Sequence, residues 1–264
     1  MSRRRVLLVA LVATVVYLAA AYLILPELWR HHEHAPALAA MPKTTTTPDG
    51  LPGDPLNVGL VGSEAELMGA FARTGWRRAA TLGLESDLEI GASVILDRPD
   101  PTAPVSSLYL FGRREDLAFE QEVGRSARHR NHVRFWRSDA RGEDGRPVWI
   151  GAATFDRGVG LSRTTGQITH HIAPDIDGER DRVMADLAAA GQLAEEFQVT
   201  GVGPTLDGRN GGGDRYFTDG ELDVGVLTPD NHVHEGPPVQ LASPPAVAFK
   251  NWLFGQARPL LGSP

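Results

Sequence analysis

Residues Val6 to Leu25, VLLVALVATVVYLAAAYLIL, form an apolar run without a single charged side chain. Twenty helical residues at about 1.5 Å each reach roughly 30 Å, the thickness of a bilayer's hydrocarbon core. Arg3, Arg4 and Arg5 precede the run, and PELWR closes it with a tryptophan and one arginine suited to a membrane–water boundary. The excess of arginine before the run predicts a cytoplasmic amino terminus and an extracytoplasmic body, with the lipid bilayer as partner through residues 6–25. A cleaved signal peptide is the competing reading, because Ala19-Ala20-Ala21 offers small residues for cleavage. The run continues past them to Leu25, longer than a signal core of about 7–15 residues, so we expect an uncleaved anchor over residues 1–29. Either way the body is exported.

Residues 30–55, RHHEHAPALAAMPKTTTTPDGLPGDP, are rich in proline and threonine and read as a linker. His31, His32 and His34 read as a solvated stretch beside the membrane. The folded body is expected over residues 56–228, and a proline-rich tail over 229–264. Within the tail, AVAFKNWLFG (246–255) is an apolar island expected to pack on the body.

Local patterns give the body its class. NVGLVG (57–62) reads as a first strand, followed by a helix capped by Ser63 with Glu66 three residues on, and stopped at Gly75. HVRFWRS (132–138) alternates, with His132, Arg134 and Trp136 on one side and Val133 and Phe135 on the other. A turn at EDG then returns the chain through RPVWIGAATFD (146–156), which predicts a hairpin. VSSLYLFG (105–112), GQITHHI (166–172), EFQVTGVG (196–203), RYFT (215–218) and ELDVGVL (221–227) read as further strands. Asp219-Gly220 suggests a tight hairpin between the last two. Asp177 to Ala190 is a second helix with Val183, Met184, Leu187 and Ala188 as its buried stripe, and SDLEIGASVIL (86–96) carries mixed signals. The expectation is an α+β fold, with a largely antiparallel sheet and two main helices, preceded by one transmembrane helix.

Composition excludes several function classes. There is no cysteine, hence no disulfide, thiolate metal site or cysteine nucleophile. A formal net charge of −7 gives no reason to expect nucleic acid as a partner.

Three blocks are more specific than any periodicity: SSLYLFGRREDLAFEQEVGRSARHRNHVRFWRSD, RPVWIGAATFDRGVGLS and GQITHHIAPDIDGERD. Through them residues 55–228 resemble the LssY C-terminal domain family of bacterial membrane proteins. The resemblance implies a membrane-associated domain and no established activity, catalytic residue or cofactor. In some members the domain sits beside multi-spanning regions of the lipid-phosphate phosphatase kind. This chain has a single anchor instead, so that activity is not implied.

Two constellations are candidates for chemistry. Residues 123–138 hold a cluster of arginines and no acid, an arrangement suited to a phosphate or carboxylate. Arg128, Arg130, His132, Arg134 and the later Arg157 are the anion-binding candidates, set against the plainer reading of an arginine-rich exposed face. His132, Asp156, His170 and His171 are the candidates for a divalent metal, although their spacing matches no metal motif and hydrogen-bonding roles explain them as well. Asp175 and Asp177 read as helix caps, and DGRNGGGD (207–214) as a hairpin loop rather than a calcium loop. The functional expectation is an envelope-associated binding or assembly module with an anionic ligand or a protein partner. The alternative is a metal-assisted hydrolase of a phosphoester or envelope glycan.

Overall fold

In a computed structural model of the chain, the described residues are 3–24, 36–79, 108–123, 129–166 and 168–262. Helix α1 (Arg3–Ile24) comes first, followed by the short α2 (Pro36–Ala39). Next are β1 (Thr44–Thr46), β2 (Pro52–Pro55), β3 (Val58–Val61), α3 (Glu64–Arg73), β4 (Arg77–Arg78), β5 (Tyr109–Leu110), β6 (Arg113–Arg114) and β7 (Leu117–Glu122). The long hairpin β8 (Arg130–Arg141) and β9 (Pro147–Leu161) leads to β10 (Ile168–Ile172) and α4 (Ile176–Ala189). The chain ends with β11 (Leu193–Thr200), β12 (Thr205–Arg209), β13 (Arg215–Thr218), β14 (Glu221–Leu227), β15 (Val239–Gln240) and α5 (Pro245–Leu261).

The large sheet runs β15-β11-β14-β3-β9-β8-β7-β4, and β10 continues the β3 side of β9 beyond Asp156. A small sheet, β2-β1-β5-β6, lies apart from it, and β12 pairs with β13 alone. Pairing is mostly antiparallel; β3 with β14 and β11 with β15 are parallel. The architecture is thus α+β.

Several details depart from the sequence pattern. Among the described residues, three helices of ten residues or more follow α1, not two, because α5 forms within the proline-rich tail. β1 and β2 lie within the stretch read as linker, and Leu38 is already 2% exposed. Asp219-Gly220 does not close a hairpin: β13 pairs with β12, while β14 lies between β11 and β3. The chain turns a corner there between two sheets. Gly220 takes φ +85°, and a Cβ on it would fall 2.0 Å from the backbone of Gly203, so only glycine fits. The segment 86–96, residues 105–107 and His31, His32 and His34 lie outside the described residues.

The apolar residues of β8 explain the layering. Val133 and Phe135 enter a core closed by α3 and α4, where Phe71 stacks on Phe119 at 4.1 Å and Trp76 meets Phe71 edge-on. Trp136 lies in a second core with Leu38, Leu56, Leu108, Leu110 and Ile150. β8 is therefore buried on both faces. Asn57 fixes α4 to the sheet, donating to the carbonyls of Ala153 and Ile176 at 3.0 Å and accepting from the Ala153 amide at 2.8 Å. At α3 the Ser63 hydroxyl accepts from the Glu66 amide, and the Glu66 carboxylate accepts from the Ser63 amide, the box expected from S-x-x-E.

Candidate functional site

The polar residues of β8 share a face with Trp136, and register decides what they meet. Arg130 is opposite Glu122 and Asp156, His132 opposite Glu120 and Thr154, and Arg134 opposite Ala118 and Ala152. The two alanines leave room for the long Arg134 side chain, whose Nη1 lies 3.7 Å from Asp54 on β2. Arg130 donates to Glu120 at 3.0 Å, lies 3.5 Å from Asp156, and brings Nη2 to 3.0 Å from His170 Nε2.

The carboxylates are themselves held. Asn210 donates to Asp54 at 2.9 Å and accepts from the Asp214 amide at 3.0 Å. Asp214 contacts His171 Nδ1 at 2.8 Å and accepts from the Ile172 amide at 3.3 Å. The glycine-rich loop between β12 and β13 thus wedges into the site and connects β2 with β10.

Two guanidinium groups, two histidines and the carboxylates of Asp54, Asp156 and Glu120 share a largely buried place. Burial pushes Asp54 and Asp156 above the usual carboxylate range, with the arginines pulling the other way and Asp214 adding repulsion. Burial likewise raises Glu120. Burial, then the charges of Arg134 and Arg130, holds His132 well below its ordinary value and so neutral. His170 is pushed down to about 3 by burial and by Arg130 and Arg134.

Among the described residues, neither ring nitrogen of His132 has a hydrogen-bond partner, and neither has the hydroxyl of Thr154 across from it. Both side chains are 1% exposed. An unpartnered buried polar group costs about 1–3 kcal/mol, so this pair carries an uncompensated cost within the layer.

The structure brings Arg130, His132, Arg134, Asp156 and His170 into one buried layer, and His171 joins it through Asp214. Arg157 stands apart: it is exposed and donates to the Ile172 carbonyl at 3.1 Å. Arg128 lies outside the described residues. Among the described residues, no three histidine or carboxylate side chains are placed to hold a metal ion together.

Sequence reasoning missed Asp54, Glu120, Thr154 and Asp214. Glu120 had a signal, since LAFEQE (117–122) alternates beside the arginine-rich strand. Asp54 and Asp214 had none, because Asp54 lies on a short strand inside a proline-rich stretch and Asp214 follows a glycine-rich loop.

A second ionic network fixes the carboxy-terminal elements. Arg180 binds Asp219 at 2.8 Å, Asp181 at 2.9 Å and Asp223 at 3.2 Å. Asp175 caps α4 through the Gly178 amide and receives Arg258 of α5 at 2.8 Å. Asp177, the other residue read as a cap, instead accepts from the Thr218 hydroxyl and the Asp219 amide.

Residues 38–222 match the sequence profile of a family described as LssY C-terminus. The match begins at Leu38, where the chain docks on the body, and ends in β14. No curated protein and no solved structure matches the chain.

Proposed function

Because the chain belongs to the LssY C-terminus family and carries a free apolar helix ahead of the family's domain, we propose that it is a single-span, membrane-tethered module working outside the cytoplasm. Its body acts there by binding or assembly at the cell envelope. One observation carries the reading: α1 is 22 residues long, apolar and without a residue buried against the body. A core helix of a soluble fold would be covered, whereas a span is covered by lipid. The arginines at 3–5 support an inward amino terminus.

The buried layer favours neither an external anion nor a hydrolytic centre. Arg130 and Arg134 have carboxylate neighbours inside the fold, and the described histidines and carboxylates form no three-ligand metal set. The anionic ligand of residues 123–138 and the metal-assisted hydrolase therefore draw no further support.

Two measurements test the proposal. The full chain should stay with membranes through alkaline carbonate extraction, and a chain lacking residues 2–24 should not. The absence of cysteine makes a single reporter clean. Glu143→Cys, in the exposed turn between β8 and β9, should react with an impermeant maleimide on intact cells. Reaction only after lysis would overturn the orientation.

A further inference from the structure

Helix α5 is two-sided in an unusual way. Val247 and Phe254 are buried, and Phe254 packs near Phe217 at 6.4 Å between rings. Lys250 bonds Glu221 at 2.6 Å, Asn251 donates to Gln198 at 2.8 Å, and Arg258 binds Asp175 and Asp181. Both cations of the helix thus turn to the body, and no exposed residue of α5 is charged. What faces outward is Phe249, Trp252, Leu253 and Leu260, exposed by 60%, 57%, 48% and 79%. Phe249 and Trp252 stack on each other at 5.8 Å. An outward stripe of that kind on a helix already pinned to its domain marks an interaction surface.

The tether indicates what covers it. Thirteen residues separate Ile24, the end of α1, from Leu38, which is buried against the body. A flexible coil of that length spans about 20 Å, and even a fully extended one about 45–50 Å. The tether joins the body beside α5. Lys43 donates to the Thr200 carbonyl at the end of β11. Thr200 lies opposite Glu221, the partner of Lys250, and Gln198, the partner of Asn251, is two residues away. Tether and helix therefore flank one end of the same strand, and whatever α1 spans is held close to the stripe. A short link of this kind sets effective concentrations in the millimolar range.

Resting on the reading of α1 as a membrane span, we propose that the outward face of α5 inserts into the interfacial layer of that same bilayer, giving the body a second attachment. Tryptophan and phenylalanine suit that depth. Because the face carries no charge, insertion depends on apolar contact and not on anionic headgroups.

The test uses the full chain in phosphatidylcholine nanodiscs, with one spin label at Leu253→Cys or at Glu143→Cys. Position 143 lies at the opposite end of the strands, beyond the pairing of Val61 with Val148. At 253 collisions with oxygen should outnumber those with a water-soluble nickel chelate, and at 143 the order should reverse. Raising salt or adding phosphatidylglycerol should change neither. In a Gln256→Cys chain, adding Phe249→Ser and Trp252→Ser should return the label to water. A 253 label as open to nickel as the 143 label, in a chain that resists alkaline extraction, overturns this inference and leaves the tether standing. Release of the chain by alkali removes both. Dipolar broadening at 253 that vanishes on dilution with unlabelled chain would assign the face to a second copy and overturn the bilayer as its occupant.

Discussion

Glu179→Gln should flatten the alkaline side of the stability profile. Glu179 stands on the sheet-facing side of α4 at 4% exposure, with the Asn131 amide 3.1 Å from Oε2. Burial pushes its carboxyl up to about 8, against an ordinary 4.5, and Asp156 and Asp186 add to the rise while Arg182 opposes it. Between those values the folded chain holds a proton that the unfolded chain has released. Stability from this group is therefore full below pH 4.5 and is lost as pH rises through 8. Linkage gives about 1.4 kcal/mol per pH unit where only the unfolded chain is deprotonated, hence about 5 kcal/mol across the window and about 1 kcal/mol from pH 7 to 8. The amide of glutamine keeps the shape and cannot ionise. Asp223, raised to about 7, and Asp177, raised to about 6, titrate with the same sign in both proteins and cancel in the comparison. His170 works in the opposite sense at lower pH and also cancels. Urea unfolding of the full chain in detergent, followed by the buried Trp76, Trp136 and Trp149, reads the difference. The gap between variant and wild type should widen by about 1 kcal/mol from pH 7 to 8. Parallel curves would refute the assignment of a buried, protonated Glu179.

Arg130→Met should cost about 3–5 kcal/mol in the same assay, because it strips the guanidinium from Glu120 and Asp156; adding Glu120→Gln and Asp156→Asn should recover most of the loss. Replacing both members of the other pair, Arg134→Met with Asp54→Leu, should be neutral or stabilising by about 1–4 kcal/mol. It should nevertheless broaden the NMR signals of β1 and β2, and sharp signals there would show that the pair does not set the docking of the small sheet. Gly220→Ala should cost about 3 kcal/mol or more by urea midpoint, since it combines positive φ with a backbone clash at Gly203. Phe254→Ala should act locally: amide exchange should quicken over residues 245–261 while β8 keeps its protection, and uniform quickening would contradict the separate anchoring of α5.

Elements with a short-range cause were legible in the sequence. Ser63 and Glu66 announced α3, the alternation at 132–138 announced β8, and the turn after Arg141 announced its hairpin with β9. Partnership across the fold was not legible. Asp219-Gly220 carries the local chemistry of a hairpin, but β14 finds β11 and β3, which lie far away in sequence. The arginines of β8 read as an exposed face because arginine is rarely buried without a partner, and its partner Asp54 lay in a proline-rich stretch that resembled a linker. In the tail, Val247 and Phe254 already stood at helical spacing. Prolines at 244, 245 and 259 hid the helix they belong to, although two of them sit at its start, where proline costs nothing.

A strand buried on both faces would be simplest if both faces were apolar, and β8 is not. Val133 and Phe135 face helices that any apolar surface would satisfy. Arg134 faces Asp54 in a small sheet of two- to four-residue strands, which offers little area and few ladder hydrogen bonds, while Arg130 reaches Glu120, Asp156 and His170. Apolar packing alone would let such a sheet slide. A charge on β8 answered by carboxylates from β2, β7 and β9 does not slide, because a shift of one residue turns Arg130 and Arg134 onto the aromatic side and a shift of two separates Arg130 from Asp156. The same logic accounts for Asp214 and His171, which tie the glycine-rich loop to β10 where little apolar surface is available. In this fold the arginines and histidines that looked like a binding site act on the chain's own carboxylates. The surface left for a partner is then one the body does not itself satisfy, and the uncharged outer face of α5 meets that condition.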